Sequence, residues 1–191
     1  MSSLNLMKLQ SLKYIFMAIL MVLVPLFIKD NYIMHLVIVS VVWATVVTNW
    51  NLTLGYGGMF HIAQPTFLAV GAYAAGISSA NFGISPWFSL FIGGFVASFF
   101  SILIGIPSLR VKGIYLILLT FAFHFTVAES VFHLSSITGG SMGLVVPTFE
   151  LGKFEFSTVN LAAFYYLALI LLTLSVILTA MIVKSSLGKA L

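Results

Sequence analysis

Charge is almost absent from this chain, and that scarcity constrains its fold more than any other feature of the sequence. Eight Lys or Arg and four Asp or Glu are the charged residues among 191, or 6% of the chain, against roughly 25% in a soluble domain. Hydrophobic residues make up 61%. A soluble enzyme, a nucleic-acid-binding domain or a disordered chain needs far more charge, so these classes are excluded. Lipid is the predicted solvent for most of the chain.

The length of the chain accommodates six apolar stretches. A membrane-spanning helix needs about 20 apolar residues, so six spans use about 120 residues and leave no room for a sizeable soluble domain. We therefore predict an all-α, polytopic transmembrane helical bundle that forms one domain over 1–191. The predicted spans are 14–28, 32–47, 59–80, 86–106, 114–134 and 161–183, with loops that include 107–113 and 135–160.

The third stretch is predicted to be a broken or re-entrant helix. It opens with three glycines among four residues, which weaken a helix, and Pro65 removes a backbone donor and strains the preceding turn. In lipid, backbone groups freed by such a break must find partners in protein or water, so a break is a place where solutes meet polar groups. A kinked helix packed against a neighbour is the alternative, and both remain open. The candidate residues of a solute path in this segment are Gly55, Tyr56, Gly57, Gly58, His61, Gln64 and Pro65.

Glu129 in the fifth stretch joins these candidates because an ionisable group inside a span is expensive and often functional. Glu129 and His133 are four residues apart and can share a helix face. His124 lies about 140° from Glu129 around a straight helix, so the three cannot face one centre. No metal site is predicted, and the absence of cysteine excludes thiolate ligands and disulfides. An interfacial or structurally paired carboxylate is the alternative role for Glu129.

Small residues recur every four positions along the fourth stretch, at Gly93, Ala97, Ser101 and Gly105. Such a stripe lets two helix backbones approach closely, which makes these four the candidate helix-packing residues. Small residues are also common in membrane helices that have no such contact. The stripe can therefore also be explained by composition alone.

The distribution of Lys and Arg predicts the orientation, because cytoplasmic loops carry the excess of these residues. With both termini inside, two cations (Lys29 and Lys153) lie outside. The six cations then inside are Lys8, Lys13, Arg110, Lys112, Lys184 and Lys189. Both termini are therefore predicted to be cytoplasmic.

Nucleotide hydrolysis by this chain is not expected. A phosphate-binding loop needs a glycine-rich turn that ends in Gly-Lys-Ser/Thr. The nearest match, residues 188–190, lacks both the hydroxyl residue and the upstream glycine. The chain is therefore predicted not to be an ATP-hydrolysing enzyme, and no cofactor site is predicted in it.

Several segments together resemble the bacterial ABC-transporter permeases of the branched-chain amino acid type, the LivM-like group. These segments are Asn-Leu-Thr-Leu-Gly-Tyr-Gly-Gly at 51–58, Gly-Ala-Tyr at 71–73, the run at 105–116, Thr-Gly-Gly-Ser-x-Gly at 138–143 and Ser-Leu-Gly-Lys-Ala-Leu at 186–191. Gln64 and Pro65 depart from the family, which usually has His and Ala there, and Phe125 stands where an acid is common.

The resemblance implies a membrane-spanning subunit of an ATP-driven importer for branched-chain or related small amino acids in the bacterial inner membrane. It implies a second, LivH-like permease subunit, two ATPase subunits that use the ATP, an extracytoplasmic solute-binding protein, and no nucleic acid. Ser186, Gly188 and Lys189 become candidate residues for coupling to the ATPases. The chain ends where the coupling loop begins, so it is expected to be the N-terminal part of a longer permease or a shortened one.

Three alternatives remain. A urea or short-amide ABC permease would share the same architecture. An ion-coupled secondary carrier would be built on the broken third stretch and would need an inward-facing ionisable residue. An intramembrane enzyme or accessory protein would use Glu129 and His133.

Overall fold

The computed structural model describes residues 20–28, 30–151, 154–155, 161–186 and 188, and it confirms the predicted helical transmembrane bundle. A two-residue hairpin departs from the all-α prediction: β1 (Glu150–Leu151) pairs antiparallel with β2 (Phe154–Glu155). The helices are α1 (helical residues 20–27), α2 (Asn31–Asn51), α3 (Gln64–Phe82), α4 (Pro86–Ser108), α5 (Ile114–His133), α6 (Ser135–Thr138) and α7 (Leu161–Lys184).

Four helical stretches in the described part of the chain are long and apolar enough to cross a membrane: Asn31–Tyr56, Pro86–Ser108, Ile114–His133 and Leu161–Lys184. The first predicted span, 14–28, lies largely outside the described residues. Helix α3 occupies most of the third predicted stretch but is not among the four, because Gly, Ser, Thr and Asn dilute its apolar residues. Six spans therefore stay a prediction.

The chain is interrupted between α2 and α3. A π-helical turn at Leu52–Tyr56 continues α2, residues 57–63 are not helical, and α3 begins at Gln64. Pro65 lies in the first turn of α3. A backbone N–H in that turn has no acceptor within the helix, so the N–H that proline lacks costs no helical hydrogen bond. The break thus comes before Pro65, and Pro65 starts a helix instead of straining one. Gly58, with φ of +61°, adopts the left-handed conformation that favours glycine.

Two predicted loops contain helix. Helix α4 continues through Pro107 to Ser108, because a proline in the last turn costs one hydrogen bond and the chain leaves the helix directly afterwards. The predicted loop 135–160 opens with the single turn α6 and a 3₁₀ turn at Gly140–Met142. The hydroxyl of Thr138 stabilises these turns: it donates to the Val131 carbonyl at 2.6 Å and accepts from the Gly140 N–H at 3.2 Å.

Small polar side chains share the interior with apolar residues such as Leu116 and Tyr165, and large apolar side chains cover the outside. Thr66, Thr120 and Ser79 are each only 1% exposed, whereas Phe91 and Phe95 are 77% and 76% exposed. An outward apolar stripe follows α4 at helical spacing, through Phe88, Phe91, Phe95, Phe99, Ile102 and Ile106. This distribution is the reverse of a soluble core and is expected of helices solvated by lipid.

The helices associate mainly as two pairs, α3 with α4 and α2 with α7, and α5 packs against α3 and α4. The α3–α4 pair is close at one crossing, where a Cβ added to Gly93 would lie 2.5 Å from the Gly71 carbonyl oxygen and 3.0 Å from the Ala75 Cβ. In the other pair, the Ser175 hydroxyl of α7 donates to Asn49 Oδ1 of α2 at 3.0 Å. The break between α2 and α3 joins the two pairs.

Candidate functional site

A central cavity of about 510 Å³ lies at the break, between the π-helical turn, the start of α3, and the facing parts of α4 and α5. Its size is within the range of small-molecule sites. Polar residues that line it are Thr53, His61, Gln64, Ser98, Ser101, Ser108 and Thr120, and the others are Met59, Ala63, Phe67, Ala97, Ile104, Gly105, Leu109 and Leu116.

Two hydrogen bonds to α5 hold the backbone around Gln64. Before it, the Ile62 N–H donates to Thr120 Oγ1 at 3.1 Å. After it, Thr66 Oγ1 and His124 Nδ1 are 2.8 Å apart. Thr120 and His124 are four residues apart and share one face of α5. Helix α5 therefore satisfies one backbone N–H of the non-helical segment, as lipid requires, and is also attached to the first turn of α3.

His61 lies in the non-helical segment and contacts the π-helical turn. Its Nε2 lies 2.8 Å from Thr53 Oγ1, and the Thr53 hydroxyl also lies 3.0 Å from the Trp50 carbonyl oxygen. Within the described part of the chain, His61 Nδ1 is buried and has no hydrogen-bond partner. His61 lines the central cavity, but this ring nitrogen is enclosed by protein.

The cavity has polar groups but no formal charge. Among the described residues that line it there is no Asp, Glu, Lys or Arg, and the described residues form no metal-binding group of three or more His, Cys, Asp or Glu. A solute with net charge would lose its hydration here without a counter-charge. The arrangement therefore suits hydrogen bonding to a small solute that is uncharged or zwitterionic.

Two further cavities adjoin the central one. The side cavity, of about 250 Å³, lies between α2, α3 and α7, and Gln64 and Phe67 line both it and the central cavity. The loop cavity, of about 350 Å³, reaches the α4–α5 connection at Lys112 and shares Met59 and Leu116 with the central cavity. The three form a chain of spaces that starts at the connection carrying Arg110 and Lys112.

The structure brings together some of the predicted path residues. His61 and Gln64 line the central cavity, and Gly58 lines the loop cavity. Pro65 lies beside Gln64 in the first turn of α3. Gly55 and Tyr56 belong to the π-helical turn, and Gly57 follows it.

Glu129 is separate from this group. Its carboxylate lies 3.4 Å from His133 Nε2, and the side chains of Glu129 and His133 are 46% and 82% exposed. It is not among the residues that line the central cavity. This geometry matches the alternative of a surface carboxylate paired one turn away on its own helix.

The four residues of the small stripe on α4 have different surroundings. Gly93 and Ala97 contact α3 at Gly71, and Ala97, Ser101 and Gly105 line the central cavity.

Two of the candidate ATPase-coupling residues follow α7. Ser186 is exposed, and the Gly188 N–H lies 3.5 Å from Ser185 Oγ. Lys189 lies outside the described residues.

Sequence reasoning missed four hydroxyls of the central cavity, those of Thr53, Ser98, Ser108 and Thr120. Thr120 could have been predicted from the sequence, since it and His124 are polar residues at helical spacing in an otherwise apolar stretch. Ser98 and Ser108 could not, because serine can bond its own helix anywhere along it, as Ser98 does to the Gly94 carbonyl at 2.8 Å.

Comparisons with known proteins agree on one family. A family model described as branched-chain amino acid transport system, permease component, matches residues 32–191. The high-affinity branched-chain amino acid transport system permease protein LivM of Escherichia coli (strain K12) is 32% identical over 108 residues, which are 56% of this chain and 25% of that protein. The protein of the same name from Salmonella typhimurium (strain LT2) has the same identity and coverage. The match thus spans about a quarter of these curated relatives. No solved structure matches the chain significantly.

Proposed function

We propose a function for this chain from the premise that it belongs to the family of branched-chain amino acid transport permeases, whose model matches residues 32–191. The chain is a membrane-spanning subunit of an ATP-driven importer, and its solute is a branched-chain or related small amino acid. The central cavity at the break between α2 and α3 is its part of the solute path.

The composition of the central cavity is the observation that carries this proposal. Hydroxyl groups and the Gln64 carboxamide line a space whose described lining residues carry no formal charge. An amino acid zwitterion carries no net charge, but its ammonium and carboxylate groups each lose hydration on burial and so each needs hydrogen-bonding partners. Its hydrogen-bonding groups meet donors and acceptors that are already fixed in position.

The partners follow from the family. We propose a second permease subunit, two ATPase subunits that hydrolyse ATP, and an extracytoplasmic solute-binding protein. Both termini are cytoplasmic in the bacterial inner membrane, so that Ser186, Gly188 and Lys189 lie on the side of the ATPases. The loop cavity beside Lys112 is then the inner end of the path.

The other candidate functions have less support. An ion-coupled carrier needs an ionisable group that faces the path, and Glu129 is instead a half-exposed carboxylate paired with His133. An intramembrane enzyme built on these two residues would have no enclosed site around them. A urea or short-amide permease fits the same uncharged cavity and is separated from an amino acid permease only by a transport measurement.

Uptake by the reconstituted assembly tests the proposal. The chain, in its full reading frame, is placed in proteoliposomes with the permease and ATPase subunits and the binding protein. We expect uptake of radiolabelled leucine to require ATP and to be competed by valine. Uptake that follows a proton gradient without ATP contradicts the proposal. Uptake of urea but not leucine would identify the assembly as a urea or short-amide importer.

A further inference from the structure

Apart from Gln64, the polar side chains that line the side cavity are hydrogen-bonded within the protein. The Thr45 hydroxyl donates to the Val41 carbonyl at 3.1 Å, and the Asn49 amide nitrogen donates to the Thr45 carbonyl at 3.1 Å. Asn49 Oδ1 accepts the Ser175 hydroxyl at 3.0 Å. These groups are satisfied within the protein, so the surface that remains for an occupant is apolar, from Val42, Val46, Phe67, Leu68, Ala168 and Leu171.

Gln64 stands where the two cavities meet. It lines both, and so does Phe67 one turn further along α3. The hydrogen bonds found among the described residues around the break use Thr53, His61, Thr66 and Thr120 but not the Gln64 carboxamide. One acceptor and two donors of Gln64 are therefore available to an occupant.

The backbone of Gln64 is fixed although its side chain is free. The bonds Ile62–Thr120 and Thr66–His124 attach the chain to α5 on both sides of it, and Pro65 restricts the next φ angle. A hydrogen-bonding group held in this way loses little freedom when it binds, which favours discrimination between solutes.

We infer that the side cavity is a subsite for the aliphatic part of the solute, with the Gln64 carboxamide at its mouth hydrogen-bonding the polar part. The polar end of the solute stays in the central cavity beside the Gln64 carboxamide, and its hydrocarbon end lies in the side cavity beyond Phe67. This inference rests on the proposed function. It means that the residues lining the side cavity select between solutes with long and short aliphatic side chains.

Filling the side cavity tests the inference. Ala168, on α7, lines that cavity and is buried, so Ala168→Phe places a ring in the space. We expect uptake of radiolabelled leucine by the full reconstituted assembly to fall about tenfold or more, and uptake of radiolabelled alanine to change far less, since removal of aliphatic contacts acts on the longer side chain. Ala180→Phe is the matched control, because Ala180 lies on the same helix but is exposed, and it should leave both rates unchanged.

Gln64→Leu tests the polar end separately. It removes the carboxamide and keeps the volume close, so leucine and alanine uptake should fall by a similar factor of about ten. Assembly of each variant is checked by size-exclusion chromatography in detergent, and Ala168→Leu, which adds less volume, replaces Ala168→Phe if that variant does not assemble.

Two results would overturn the inference while leaving the proposed function intact: ATP-dependent leucine uptake that Ala168→Phe does not alter, or equal losses of leucine and alanine uptake in that variant. Failure of the unmodified assembly to import leucine with ATP would instead reject the proposed function itself.

Discussion

Individual residues of this protein reverse the usual roles of polar and apolar side chains. In water, burial of apolar surface drives folding, but lipid is as apolar as leucine and gives helices no such reason to associate. Close packing and internal hydrogen bonds take over, which is why Thr66 and Thr120 are buried while Phe91 faces outward. Gly93 is an example of close packing: because it has no side chain, α4 contacts the Gly71 backbone of α3.

Substitution of Gly93 tests that contact. In Gly93→Ala, the new Cβ would lie 2.5 Å from the Gly71 carbonyl oxygen, so α3 and α4 must separate, and we expect a loss of about 1–3 kcal/mol in stability. Gly94→Ala is the control, since nothing lies within 4 Å of its added Cβ and alanine favours a helix by up to about 1 kcal/mol. Thermal unfolding in detergent should show a lower Tm for Gly93→Ala only. Equal Tm values for the two variants would mean that the α3–α4 crossing can accommodate a methyl group at Gly93.

Among the elements, the break between α2 and α3 matters most for function. Non-helical backbone survives at membrane depth only where protein or water satisfies it. Here α5 does so through Thr120, whose Oγ1 accepts the Ile62 N–H. The same hydroxyl lies 2.9 Å from the Leu116 carbonyl of its own helix. One side chain therefore keeps the break attached to α5 and lines the central cavity.

Thr120→Val removes this hydroxyl without a large change of shape. The Ile62 N–H then loses its partner in a partly buried place, and we expect a cost of about 1–3 kcal/mol together with faster hydrogen exchange at Ile62. Thr126→Val is a matched control on the same helix, because the exposed Thr126 hydroxyl bonds only the Ala122 carbonyl at 2.8 Å. Tm and amide exchange are measured for both variants. If Ile62 exchanges at the same rate in both, the hydrogen bond does not hold the break.

At the scale of the whole molecule, two helix pairs meet at the break, and the side cavity lies between them. Helices α3 and α4 form one pair, α2 and α7 the other, and the three adjoining cavities run from the α4–α5 connection to the space between the pairs. Because these cavities lie at the junction of two packed units, their shape depends on how the units are arranged. The direction of transport along it depends on which end faces the cytoplasm.

Cysteine labelling tests that orientation, since the chain has no cysteine of its own. Ser141, in the loop predicted to lie outside, and Ser186 after α7 are both exposed. A membrane-impermeant maleimide added to intact cells should label Ser141→Cys and leave Ser186→Cys unlabelled until the cells are opened. The reverse pattern would place the termini outside and contradict the count of Lys and Arg.

The sequence predicted most helices, because apolar runs of spanning length leave few alternatives for a chain in lipid. It also placed the break, since Gly55, Gly57 and Gly58 are poor helix formers. It did not show that α2 continues through a π-helical turn to Tyr56, or that Pro65 lies in the first turn of α3. Helix ends depend on local hydrogen bonds, such as the Gly57 N–H to the Leu52 carbonyl at 3.1 Å, which composition does not encode.

By itself, then, the sequence determined the solvent of this protein, its helical architecture and its family, because charge content, run length and ordered motifs are properties of the chain alone. Only the tertiary structure decided which candidates act together. It brought His61 and Gln64 to one cavity with Thr120 and left Glu129 on the surface beside His133. The physical reason is that a cavity is made by residues distant in sequence, and which helix faces meet depends on packing that no single stretch specifies.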